Sequence, residues 1–122
     1  MNATDRLHQQ LRAHVAGLTS PAAAVDLLIA HRTWLHREDF LHRFTFTTAS
    51  FNNTATRTGI DWAAAINALG HDLACSGGEV RLLRIAASLA QGIPVDLRDA
   101  MTGLDHTNTA LVARAITQAA GH

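Results

Sequence analysis

Residues 76–92 read SGGEVRLLRIAASLAQG, from Ser76 to Gly92. Ser76 and Glu79 have the spacing of a capping box, in which the serine hydroxyl accepts from the Glu79 amide and the Glu79 carboxylate accepts from the Ser76 amide. This predicts a helix that begins at residue 77 and stops at Gly92, ahead of Pro94. Within it Val80, Leu82, Leu83, Ile85, Ala86, Ala87, Leu89 and Ala90 leave Arg81, Arg84, Ser88 and Gln91 as the polar positions. At 100° per residue those four fall within an arc of about 80°. A helix with so narrow a wet stripe must be covered on most of its circumference, so the rest of the chain is expected to pack around it.

Outward from this helix, the C-terminal side reads as a short helix opened by Val95-Asp96, carrying Leu97, Ala100 and Met101 and closed at Gly103. A last helix follows, capped by Asp105 or Thr107, with Leu111, Val112, Ala115 and Ile116 on its apolar face. On the N-terminal side, Asp61 caps a helix of Trp62, Ala63, Ala64, Ala65, Ile66 and Leu69 that Gly70 terminates. At the start of the chain, Leu7, Leu11, Val15 and Leu18 predict a helix from about residue 5 to 17, with Thr4 as its cap. Ser20 and Pro21 then suit the start of a second helix. Its stripe of Ala24, Leu27, Leu28, Trp34 and Leu35 continues to about residue 36. Extending it further would bury Glu38, so a separate short segment is read from Asp39 to Phe44.

Residues 45–59, TFTTASFNNTATRTG, hold six threonines and a single charged side chain. β-Branching disfavours a helix there, which leaves a Thr-rich loop or a small hairpin turning at Asn52-Asn53. The expected fold is therefore all-α: one domain over residues 1–122, an irregular five- to six-helix bundle around the helix at about 77–91, with the loop or hairpin at 45–59.

The 122 residues carry ten arginines against ten acids, eight histidines, and no lysine or tyrosine. Without lysine, P-loop, Schiff-base and lysine-dependent hydrolase chemistry is excluded. Arginine in place of lysine, with 23 alanines, is what a GC-rich coding sequence tends to produce. The single Cys75 has no disulfide partner within the chain. Met1 to Ala13 carries charges, and no apolar run approaches the roughly 20 residues that span a bilayer. A cytoplasmic protein with no membrane segment is expected.

Eight histidines raise the question of a metal. No HExxH or Cys/His finger spacing is present. His31 and His42 would stand about 16 Å apart on a helix. Glu38 with His42, and His71 with Cys75, supply two ligands each, so no metal and no cofactor is expected. His14 and His31 fall on apolar stripes. Were the first two helices to fold back near residue 19, His8 would lie level with His31, and their protonation would place charge on a packed surface. Cys75 precedes a helix start but has only His71 as a nearby base and Glu79 opposing a thiolate, which makes it a structural cysteine.

The segment from Arg84 to Leu104 can be laid on a helix-turn-helix with Asp96 to Met101 as the reader, using Arg84, Arg98 and Arg81. Asp96 and Asp99 flank Arg98, and the net charge is zero, so nucleic acid is the disfavoured partner.

The run Cys75-Ser76-Gly77-Gly78-Glu79, then Ala86-Ala87-Ser88-Leu89-Ala90, Val95-Asp96-Leu97 and Gly103-Leu104-Asp105 followed by Asn108, resembles small uncharacterised helical proteins of high-GC actinobacteria. The resemblance covers roughly residues 60 to 120 and implies a bacterial cytoplasmic source. It implies no activity and carries over no functional residue.

No nucleophile has a visible base, so the chain reads as a non-enzyme. A weakly charged chain with a helix apolar on most sides is hard to cover as a monomer, which points to a protein-interaction module that pairs with another protein or with itself as a homodimer. The expected interface residues are the aromatics around the Thr-rich segment, Trp34, Phe40, Phe44, Phe46, Phe51 and Trp62, with Arg37 and Arg43.

Overall fold

The computed structural model describes residues 2–49 and 56–122. In chain order these form α1 (Ala3–His14), α2 (Thr19–His31), a 3-10 turn (Trp34–His36), α3 (Glu38–Phe44), β1 (Thr45–Ala49), β2 (Thr56–Ile60), α4 (Trp62–Ala68), α5 (Gly77–Gln91), α6 (Leu97–Met101) and α7 (His106–Ala119). The expectation of an all-α, five- to six-helix bundle is corrected in two respects. Seven α-helices are present among the described residues, and β1 and β2 form a two-stranded antiparallel sheet. Of the two readings of the Thr-rich segment, the hairpin is the one that forms; the Asn52-Asn53 turn lies outside the described residues.

The capping box at Ser76 and Glu79 closes in both directions, and Gly92 ends α5 in the left-handed region at φ 69°. Leu82, Leu83, Ile85, Ala86 and Ala87 of this helix are buried. α5 packs against α2, α4, α6 and α7, as its apolar circumference requires. It does not hold the centre alone. α2 buries Ala23, Ala24, Val25, Leu27 and Leu28, and it packs as extensively against α7 as against α5. Small alanines allow the close approach of α2 to its neighbours, so the core is an α2–α5 pair. Asp26 ties this pair outward, accepting from Arg12 Nε of α1 at 3.0 Å and from Gln118 Nε2 of α7 at 2.9 Å.

Several local boundaries also differ from the sequence reading. Asn2, not Thr4, caps α1 by accepting from the Asp5 amide at 2.8 Å. Ser20 lies inside α2, where its hydroxyl donates to the Leu89 carbonyl of α5 at 2.6 Å instead of capping its own helix. The second helix stops at His31 and not near residue 36. Arg32 adopts the left-handed conformation, φ 69°, and its amide closes the helix on Leu28. The chain thereby turns so that Trp34 and Leu35 enter the core from a 3-10 turn, a direction that a continuous helix would not offer them.

In the hairpin, Thr45 pairs with Ile60, Thr47 with Thr58 and Ala49 with Thr56. α1 packs along β2, and Thr58, Gly59 and Ile60 are buried there, whereas β1 is exposed from Phe46 to Ala49. Thr58 donates from its hydroxyl to Gln10 Oε1 of α1 at 3.0 Å, which satisfies a polar group only 3% exposed. No described helix is long and apolar enough to cross a membrane.

Candidate interaction surface

The eight residues expected at an interface separate into three groups. Trp34, Phe40, Phe44 and Trp62 are core residues, none more than 5% exposed. Phe40 lies 5.3 Å from the Trp34 ring and 5.6 Å from Phe44, which makes a continuous cluster of mutually tilted rings. The Trp34 indole N–H donates to the Glu79 carbonyl at 3.1 Å, fastening the 3-10 turn to the first turn of α5. These four side chains complete the fold.

Arg37 and Arg43 hold the connection between α4 and α5. Arg37 lies over Trp34 at 5.0 Å, grips Asp39 through Nε and Nη2 at 3.0 and 2.6 Å, and donates from Nη1 to the Ala74 carbonyl at 2.5 Å. The hydrogen bond between them holds the Asp39 carboxyl below its ordinary range and Arg37 above its own. Arg43 covers Phe44 at 4.8 Å and pairs with Asp72 at 2.8 Å. Both cations are therefore engaged with the chain's own backbone and acids.

Phe46 is the one expected anchor placed for a partner among the described residues; Phe51 lies outside them. Phe46 is 45% exposed, and its ring meets His14 edge-on at 5.7 Å. It also lies across Gly59, its cross-strand neighbour: a Cβ on Gly59 would come within 2.4 Å of the ring. Glycine at this position is what lets the ring fold down onto the hairpin. Beside it opens a cleft of about 260 Å³ between α1, α2, the hairpin and the end of α5, with Leu11, Val15, Val25 and Trp62 in its lining. Leu18, 53% exposed, also lines this cleft. The sequence reading assigned Leu18 to the stripe of the first helix. Its position just past the end of that helix, where a stripe loses its neighbour, was the available signal.

The remaining reactive groups are quieter. Burial, then the nearby Glu79, raises the Cys75 thiol above its ordinary value against the opposing pull of Arg37, and its Sγ donates to the Leu73 carbonyl at 3.4 Å. A raised pKa keeps the thiol protonated and unreactive at neutral pH. His8 Nε2 and His31 Nδ1 are buried without a hydrogen-bond partner. The charges that act on His8 are Arg12, His36, Asp5 and Arg32, and those on His31 are Glu79 and Asp105. Among the described residues no three His, Cys, Asp or Glu side chains converge as metal ligands.

The helix-turn-helix reading places its reader on α6, which has five residues. That is about 7 Å of helix. Arg81 donates from Nε to the Asp99 carbonyl at 3.3 Å, and it lines a groove of about 380 Å³ with Arg84, Asp96 and Asp99. The acids of this groove oppose a phosphate backbone.

No known protein family, curated protein or solved structure matches this chain.

Proposed function

We propose that the protein is a non-enzymatic helical interaction module that self-associates through the hairpin face. The observation that carries this reading is the exposure of Phe46 and Leu18 beside a cleft lined by Leu11, Val15 and Val25 together with the polar His14, Asp61 and Gln91. Exposed aromatic and aliphatic side chains around a concave surface are what a partner's side chain would desolvate. The cleft is small for a metabolite site, since such pockets usually run from about 300 to 1,000 Å³. A single inserted side chain is the better match. A lone free thiol is in keeping with a cytoplasmic setting.

The test is the molar mass in solution. Light scattering at about 0.1 mM, where even a modest association with a Kd in the micromolar range is populated, is expected to return a dimer. Phe46→Glu is expected to return a folded monomer. A wild-type chain that stays monomeric under these conditions, or one that binds duplex DNA in a salt-sensitive way as a monomer, overturns the reading.

A further inference from the structure

The hairpin has one covered edge and one open edge. β2 is backed by α1, while along β1 no other described strand pairs on the side away from β2. The backbone groups that face this open edge follow from the ladder. The Asp61 amide donates to the Phe44 carbonyl at 2.7 Å, which makes Phe44 and Asp61 a hydrogen-bonded pair in the register that continues as Phe46–Gly59 and Thr48–Arg57. Because bonded and non-bonded pairs alternate in an antiparallel ladder, the amides and carbonyls of Thr45, Thr47 and Ala49 point away from β2.

We infer that this edge is completed by the same strand of a second copy, antiparallel and centred on Thr47, so that two hairpins join into a four-stranded sheet. The inference rests on the self-association reading and specifies its partner and register. Two observations select a second copy as the occupant. First, a twofold axis at Thr47 places Thr45 opposite the other chain's Ala49, Thr47 opposite its counterpart, and Ala49 opposite Thr45. Each outward-facing residue then meets an outward-facing residue, and about six backbone hydrogen bonds form across the junction. Second, β1 reads Thr-Phe-Thr-Thr-Ala and bears no charge, so two copies meet with no like charges opposed. It also lacks the lysine, proline or inward-pointing charge by which edge strands are normally protected from pairing. This register also sets Phe46 opposite the other chain's Thr48 on one face, with each Phe46 ring still folded back over its own Gly59.

Two sets of variants test the register. Thr47→Pro removes an amide that faces the open edge and leaves the Phe46 and Thr48 bonds to β2 in place, which proline tolerates on an edge strand. It is expected to weaken dimerisation at least about tenfold, or about 1.4 kcal/mol, while circular dichroism and the unfolding of the monomer stay unchanged. In a Cys75→Ser background, Thr47→Cys places two thiols on the axis, where facing Cα atoms are about 5.5 Å apart and a disulfide can form. Thr45→Cys places them four residues apart along the strands, about 14 Å, and should not cross-link. Rapid oxidation of the first variant to a covalent dimer, and not of the second, is the expected result. A wild-type dimer in which both variants cross-link alike, or neither does, overturns the strand pairing and leaves self-association standing. A monomeric wild type overturns both.

Discussion

Trp34 shows how a residue type can be recognised as important in a sequence while its role is misassigned. A tryptophan among phenylalanines and arginines has the composition of an interface anchor, but the side chain is fully buried, and its one polar atom is spent on the Glu79 carbonyl. Trp34→Ala is expected to cost about 3–5 kcal/mol, measured as a lower urea midpoint. Arg43→Ala should cost less than about 1 kcal/mol, because its pairing with Asp72 is exposed to water. The histidines make a separate prediction. Burial, reinforced by Arg12, lowers the His8 pKa from 6.5, and burial lowers that of His31 against Glu79 and Asp105. The folded chain thus binds fewer protons than the unfolded one. Its stability is fully present above the unfolded value of 6.5 and is lost as the pH falls through that value toward the folded ones. The melting temperature should drop between about pH 7 and 5.5, and His8→Gln with His31→Gln should flatten that drop. A flat profile in the unaltered chain would remove the histidines from any account of its acid response.

At the level of single elements, the caps from residue 61 onward were legible, whereas those of α1 and α2 were not. Ser76, Asp61, Asp96 and Asp105 all accept from an amide three residues on, and Glu79 accepts in return from the Ser76 amide. That relation lies within one turn of chain and needs no tertiary partner. Ser76→Ala should therefore cost about 1 kcal/mol, visible in thermal unfolding. The end of α2 was not legible in the same way. Its stripe continues on paper to residue 36, but packing Trp34 and Leu35 requires a turn at Arg32, a non-glycine residue at φ 69°. The left-handed conformation costs a side-chain-bearing residue about 1 kcal/mol, so Arg32→Gly is expected to raise stability by roughly that amount. A drop instead would mean that the Arg32 side chain itself holds the turn.

For the molecule as a whole, charge decides little and apolar coverage decides much. Arginines and acids are interspersed, and the ion pairs that form are exposed or partly exposed pairings within the chain. The association proposed here joins an uncharged strand and an aromatic ring, so its dissociation constant should change less than about threefold between 50 and 500 mM sodium chloride. Sedimentation across that range checks it. A steep loss of dimer with salt would point to arginine contacts in place of strand pairing.

The amino-acid sequence by itself determined the helical framework, the capped start and glycine stop of α5, and the apolar character that makes that helix central. Each of these depends on residues within a turn or two of one another. It also narrowed residues 45–59 to a hairpin or a loop, because threonine disfavours helix without saying what the extended chain will pair with. Only the tertiary structure decided that α2 shares the centre with α5, that four of the expected anchors are core, and that Phe46 folds over Gly59. The physical reason is the same in each case. Whether an aromatic side chain is buried or presented depends on which distant segment reaches it first, and that competition is settled by packing between elements, not by the spacing of residues within one.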